Sequence, residues 1–70
     1  MEKEQVAKEM VDFFYHTYRD LMPNDPREKL RVEIMIQDKV YSEIDTGFDE
    51  DTVINDIVDR LKKKKVQGES

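Results

Sequence analysis

The sequence has no cysteine, so it can form neither a disulfide framework nor a thiolate metal site. Small secreted domains commonly depend on such cross-links, and their absence favours the cytoplasm. The chain also lacks a hydrophobic run long enough to span a bilayer, and the charged segment at 1–5 differs from the apolar run of a signal peptide. We therefore expect a cytoplasmic protein that does not bind a membrane.

Residues that form common catalytic motifs are scarce. Gly47 and Gly68 are the only glycines, and neither belongs to a phosphate-binding loop. His16 is the only histidine, while Ser42 and Ser70 are the only serines, so a Ser-His-Asp site has no supporting context. A chain of 70 residues makes one domain with a core too small to enclose a large substrate. We expect no enzymatic activity and no cofactor.

Two segments have the apolar periodicity of amphipathic helices. The first covers residues 3–22 and ends before Pro23, which disfavours helical geometry in the residue preceding it. Its apolar positions are Val6, Met10, Phe13, Phe14, Thr17 and Leu21. The second helix begins after Asp49 or Asp51, either of which can cap it, and lysines at 62–65 complement the dipole at its other end. Its apolar positions are Val53, Ile54, Ile57, Val58 and Leu61.

Between these helices the apolar period changes to two. In segment 30–36 the residues that point one way are Leu30, Val32, Ile34 and Ile36. Residues of segment 40–44 alternate in the same manner after a short polar break at 37–39. This pattern predicts two half-buried strands joined in a tight antiparallel hairpin.

The predicted fold class is therefore α+β, with the order α-β-β-α and two helices packed on a two-stranded hairpin. Residues 1–66 are expected to form the single domain, and 67–70 a disordered tail that contains Gly68 and no apolar pattern. A hairpin in so small a domain leaves a strand edge open. This edge, or the face with Met35 and Tyr41, invites a partner or a second copy of the chain, so we expect a homodimer.

The aspartates at 45, 49, 51 and 56 are spaced somewhat like the ligands of a calcium loop. With Asp45 as the first ligand, Gly47 falls where a ligand belongs and no glycine occupies the sixth position. The last ligand would be Asp56, where a bidentate glutamate is usual. We therefore predict no specific metal site.

Charge is unevenly distributed along a chain whose net charge is −5. The segment 40–59 has no lysine or arginine, and its seven acids are Glu43, Asp45, Asp49, Glu50, Asp51, Asp56 and Asp59. Arg60 and the lysines at 62–65 follow directly. Helix-end electrostatics and solubility account for the acids at 49–51 and for the lysines. They account less well for the lack of a compensating base through the second predicted strand and the loop.

A functional interpretation makes the seven acids one continuous negative surface that binds a partner. Carboxylates held on a rigid helix and loop can occupy sites built for phosphates, which is the physical basis of DNA mimicry. The predicted partner is a basic, nucleic-acid-binding protein. The net charge argues against direct binding of nucleic acid, although the lysines at 62–65 leave contact with RNA, DNA or an anionic membrane surface open.

The acidic segment from Asp45 to Asp51, together with the small size and the lack of cysteine, resembles the small acidic proteins with which bacteriophages disable host enzymes and nucleoid proteins. That group includes DNA mimics that block the DNA-binding surface of histone-like HU proteins. The resemblance implies an inhibitor that acts in the host cytoplasm, often as a dimer. An alternative from a different class is a structural or assembly module that docks through an apolar surface or a strand edge.

Overall fold

The computed structural model describes residues 2–68, with side chains through Lys64. They form three α-helices, α1 (Lys3–Thr17), α2 (Pro26–Ile44) and α3 (Glu50–Gly68), and a 3-10 helix at Arg19–Leu21. No strand occurs among the described residues. The fold is all-α, so the predicted α+β class and its hairpin are wrong. The expected tail at 67–70 is covered only in part, because α3 extends to Gly68 and residues 69–70 lie outside the described range.

The segment predicted as two strands is the single helix α2. Its buried residues, Val32, Ile36 and Val40, recur every fourth position and form one helical stripe. Buried residues at every second position, as in a strand, and at every fourth position, as in a helix, both include positions 32, 36 and 40. Only the strand pattern also requires Leu30 and Ile34 to be buried, and their side chains are 59% and 48% exposed. The alternation was therefore the wrong pattern, because two of its four residues in segment 30–36, Leu30 and Ile34, are largely exposed.

Local propensity also favours a continuous helix through the expected turn at 37–39. A two-residue hairpin turn needs residues with positive φ, usually glycine or asparagine, and this segment has neither. Gly47 is the only residue with positive φ in the described chain. At the start of α2, Asp25 caps the helix by accepting a hydrogen bond from the Glu28 N–H at 3.3 Å, and Pro26 occupies the first turn. Asp25 and Pro26 are residue types common in turns, and here they begin a helix.

The two predicted helices are present, with one change at the end of the first. α1 ends at Thr17, and the chain continues through the 3-10 helix to Leu21 before Pro23. Ala7 and Val11 are buried in α1, whereas Thr17 is exposed. The apolar stripe of α3 is buried or half-buried as predicted, with Val53, Ile57 and Leu61 in the core.

The helices form an up-down-up bundle measuring 39 × 20 × 18 Å. Helices α1 and α2 are antiparallel. Lys3 forms an ion pair with Asp45 at one end of the two helices, and Tyr15 forms a hydrogen bond with Glu33 nearer the other end. The common core consists of Ala7, Met10, Val11, Phe14, Met22, Val32, Ile36, Val40, Val53, Ile57 and Leu61. No buried side-chain polar atom in the described part lacks a hydrogen-bond partner. The buried residues of the described part are all apolar, so apolar burial is the main source of stability in this domain.

A pair of matched substitutions separates the helical arrangement from the hairpin. Ile36→Val removes a methyl group from a side chain that is fully buried, and we expect it to lower the free energy of unfolding by about 0.5–1.5 kcal/mol. Ile34→Val makes the same change on an exposed side chain, so its effect should stay within about 0.5 kcal/mol. Urea unfolding followed by circular dichroism measures both. Equal losses at the two positions would indicate that both side chains face the core, as in the hairpin.

Candidate partner-binding surface

The connection between α2 and α3 gathers carboxylates at one end of the bundle. Gly47 has φ of +102°, and this left-handed conformation reverses the chain so that α3 starts beside the end of α2. Because α1 runs antiparallel to α2, its first residues lie at the same end. We call this region the acidic end. It comprises Glu2, Glu4, Glu43, Asp45, Asp49, Glu50 and Asp51.

Lysines from outside segment 40–59 neutralise part of this charge. Lys3 Nζ lies 2.7 Å from Asp45 Oδ1, which links α1 to the end of α2. Lys39 Nζ lies 3.0 Å from both Glu43 Oε1 and Asp56 Oδ2, which links α2 to α3. The missing bases of the acidic segment are thus supplied by other parts of the fold.

Lys39 is the most enclosed of these cations, with 18% of its side chain exposed. Hydrogen bonds to Asp56 and then to Glu43 raise the pKa of Lys39, so its positive charge is retained throughout the neutral range. One ammonium group cannot neutralise two carboxylates. The cluster of Lys39, Glu43 and Asp56 therefore keeps a net negative charge.

Asp59 is separated from the acidic end. It lies on α3 beyond Asp56 and pairs with Lys63 one turn later, at 3.2 Å. An ion pair of this spacing on an exposed helix face is a common local arrangement. Of the seven acids predicted to bind a partner, Asp59 is therefore the one that the fold places farthest from the connection.

The three acids at the start of α3 have different surroundings. The carbonyl of Asp49 accepts a hydrogen bond from the Val53 N–H at 3.0 Å, and its carboxylate accepts one from the Thr52 hydroxyl at 2.6 Å. Glu50 and Asp51 are exposed and form no ion pair with any described residue. Their negative charges interact favourably with the positive end of the α3 dipole, and both side chains remain accessible to solvent.

The opposite end of the bundle is basic. α3 carries Arg60 and exposed lysines at 62–64 in its second half, and α2 begins with Arg27 and Lys29. One of these lysines, Lys64, binds Glu28 at 2.8 Å, and this contact lowers the pKa of the Glu28 carboxyl. The fold therefore separates charge along its long axis, a property that the one-dimensional charge pattern only partly indicates.

A hydrogen bond outside the acidic end produces the largest pKa shift. The Tyr15 hydroxyl donates to Glu33 Oε2 at 2.5 Å across the contact between α1 and α2. This hydrogen bond, with partial burial and the negative charge of Glu33, raises the pKa of Tyr15 to about 12. Nothing in the sequence indicated that Tyr15 and Glu33 form a pair. The two residues are far apart in the chain, and the segment that contains Glu33 was expected to be a strand. Its position between two helices gives it a role in packing.

Among the described residues, no group of three or more histidine, cysteine, aspartate or glutamate side chains is arranged to hold a metal ion. His16 is exposed near the end of α1. No helix within the described range has the length and apolarity needed to cross a bilayer.

Comparison with known proteins adds no relative: no family model, curated protein or solved structure matches the chain.

The bond between Tyr15 and Glu33 predicts a pH dependence. Because the pKa of Tyr15 is higher in the folded state than its ordinary value of 10.0, the stabilisation is complete below pH 10 and is lost as pH rises toward 12. We expect Tyr15→Phe to lower the free energy of unfolding by about 1 kcal/mol at pH 7 and to flatten this alkaline decline.

The control is Tyr41→Phe, since the Tyr41 hydroxyl forms no hydrogen bond with a described residue. Urea unfolding of the three proteins between pH 7 and pH 12 measures the effect. If the difference between wild type and Tyr15→Phe did not shrink above pH 10, the hydrogen bond would not be the source of the stabilisation.

Proposed function

We propose that this chain acts by binding, without a catalytic step, and that its acidic end occupies the nucleic-acid-binding surface of a basic protein. The observation that carries the proposal is the position of Glu43 and Asp45. They lie at the negative end of the α2 dipole, and the last turn of α2 has no basic residue. Acids at a helix C-terminus interact unfavourably with the helix dipole, so helix capping does not account for them. Each pairs with a lysine, but the pair of Lys3 and Asp45 is open to water and contributes little stability.

Helix stability does account for the acids at the start of α3, yet these add to the same surface. Glu50 and Asp51 lie across a short connection from Asp45, and both are exposed. The carboxylates therefore come from two helix ends with opposite dipoles. A requirement for negative charge at this end of the bundle explains both sets together.

The ion pairs at the acidic end can exchange partners. Lys3 and Asp45 are 48% and 65% exposed, and a pair this open to water contributes about 0–1 kcal/mol to stability. An arginine of a basic partner can therefore replace Lys3 at little cost, and its two parallel N–H groups suit a carboxylate better than an ammonium does. Complementary charge of this kind also accelerates association.

The target class follows from the chemistry and from the resemblance to acidic phage inhibitors. A surface that binds phosphates along a duplex presents clustered lysine and arginine, as the histone-like HU proteins do, and carboxylates can replace those phosphates. The chain would then compete with DNA for its partner. Such an inhibitor would act where its target is, in the cytoplasm.

Neutralising the start of α3 tests the surface directly. In a competition assay, the chain should displace a fluorescent DNA duplex from a purified histone-like HU protein, less effectively as salt rises. We expect the double variant Glu50→Gln, Asp51→Asn to need about tenfold more protein for half-displacement, because two accessible charges are lost.

The matched control for that variant is Asp12→Asn, Asp20→Asn, which removes the same charge from exposed positions away from the acidic end. Circular dichroism is used to check that both variant proteins are folded. Equal loss of displacement in the two variants would mean that net charge alone acts. Failure of the wild-type chain to displace the duplex at any salt concentration would exclude this target class.

Removing the central lysine should have the opposite effect. Lys39→Gln frees Glu43 and Asp56 from their shared cation, so we expect several-fold tighter binding to the basic protein. Lys29→Gln removes one charge from the other end of the bundle and should change binding little. The same competition assay compares the two. Weaker binding on loss of Lys39 would show that the cluster around it is not part of the surface.

The alternative of an assembly module that docks through an apolar surface retains one supporting observation. Leu30 and Ile34 are large apolar side chains with high exposure on α2. The version of this alternative that used a strand edge does not apply, because the described residues contain no strand.

A further inference from the structure

The side of α2 that faces away from the core carries an apolar stripe. Leu30 and Ile34 are the exposed large hydrophobic residues of the described chain, and Tyr41 is half-buried two turns beyond them. At about 100° per residue, these three positions fall within a narrow sector opposite the buried stripe of α2. We call this the outer face of α2. A stripe of this kind on an otherwise highly charged surface is typical of an interaction site.

The spacing along the outer face is that of a helix that packs on another helix. Counted from Arg27, alternate steps of three and four residues lead to positions 30, 34, 37 and 41. Leu30, Ile34 and Tyr41 are the apolar residues at these positions, and Gln37 is the polar one. Such steps keep one seam facing a partner helix over several turns. Tyr41 packs against the edge of the core, whereas Leu30 and Ile34 belong neither to the core nor to the residues packed against it. The part of the seam around Leu30 and Ile34 therefore has no apolar partner within the described chain.

Charges beside the stripe are arranged by sign. Arg27 and Arg31 lie toward the start of α2, and Asp38 lies toward its end. Arg31 is 73% exposed, and its nearest acid is Glu28 at 3.8 Å, a long contact for an ion pair. Arg27 and Asp38 form no ion pair with any described residue. The outer face thus has a positive half and a negative half, with apolar residues between them.

We propose that the outer face of α2 binds the same face of a second copy of this chain, with the two α2 helices antiparallel. A two-fold axis level with the midpoint of residues 31 and 38 brings the two Ile34 side chains together. Arg31 and Asp38 are separated by about 10 Å along the helix, so each lies level with the oppositely charged residue of the other copy. Leu30 then lies within one turn of Tyr41 of the second copy. The face is self-complementary, as a two-fold interface requires.

A parallel pair of the same helices would be unfavourable. It would place the arginines of one copy beside the arginines of the other, and Asp38 beside Asp38, and like charges across an interface are repulsive. The charge pattern therefore selects the antiparallel arrangement. This pairing uses a different surface from the acidic end, and it holds whether or not the acidic end binds a basic protein.

Sedimentation equilibrium over a concentration series tests the pairing. The wild-type chain should approach twice its monomer mass of 8.4 kDa as concentration rises. Ile34→Glu places a charge at the centre of the stripe and should raise the dimer Kd by about tenfold or more. Asn55→Glu adds the same charge on the exposed side of α3 and should leave the Kd unchanged. A wild-type chain that stays monomeric at millimolar concentration would overturn the proposal, as would a dimer that Ile34→Glu does not weaken.

A charge exchange tests the antiparallel arrangement itself. Arg31→Asp and Asp38→Arg should each weaken the dimer, because each creates like charges across the interface. The double variant with both changes should restore the wild-type Kd, since opposite charges meet again. Lys62→Asp makes the same charge change as Arg31→Asp on α3 and serves as the control. If the double variant were as weak as the single variants, the antiparallel arrangement would be wrong.

Discussion

The structure depends on the burial of one stripe of α2 against both other helices. Val32, Ile36 and Val40 have almost no exposed surface, and together with Phe14 and Ile57 they join the three helices in one core. Their fourfold spacing determines the orientation of α2 about its axis. Once that orientation is set, Leu30 and Ile34 must face solvent. Both the outer face and the position of the acidic end at the close of α2 follow from this packing.

The sequence predicts α1 and α3 because their apolar residues have helical spacing with no competing pattern. In α3 the apolar positions, the acids before the first turn and the later lysines all indicate the same helix. In α2 the apolar residues fit both the alternation of a strand and the spacing of a helix. The apolar character of Leu30 and Ile34, which are exposed, favoured the strand pattern, and this was wrong. The deciding signals were the Asp25-Pro26 start and the absence of turn residues at 37–39, which are local features independent of periodicity.

The acidic end was only partly predictable. The acids themselves are visible in sequence, but their counter-ions are not, because Lys3 reaches Asp45 and Lys39 reaches Asp56 through tertiary packing. The pair of Lys39 and Glu43 is a normal spacing within a helix, and it was missed because this segment was expected to be a hairpin. The fold converts a local run of acids into a charge separation along the molecule, and Lys3 and Lys39 neutralise part of the charge at the acidic end.

The central claim is that α2 is one uninterrupted helix from Pro26 to Ile44, since the core, the acidic end and the outer face all require it. Its most direct test is the set of Cα chemical shifts of the isotopically labelled protein in solution, compared with random-coil values. We expect the Cα chemical shifts to deviate positively from random-coil values at every residue well inside α2, including 37–39. Negative deviations over 30–36 and 40–44, separated by a break at 37–39, would restore the hairpin and contradict the account.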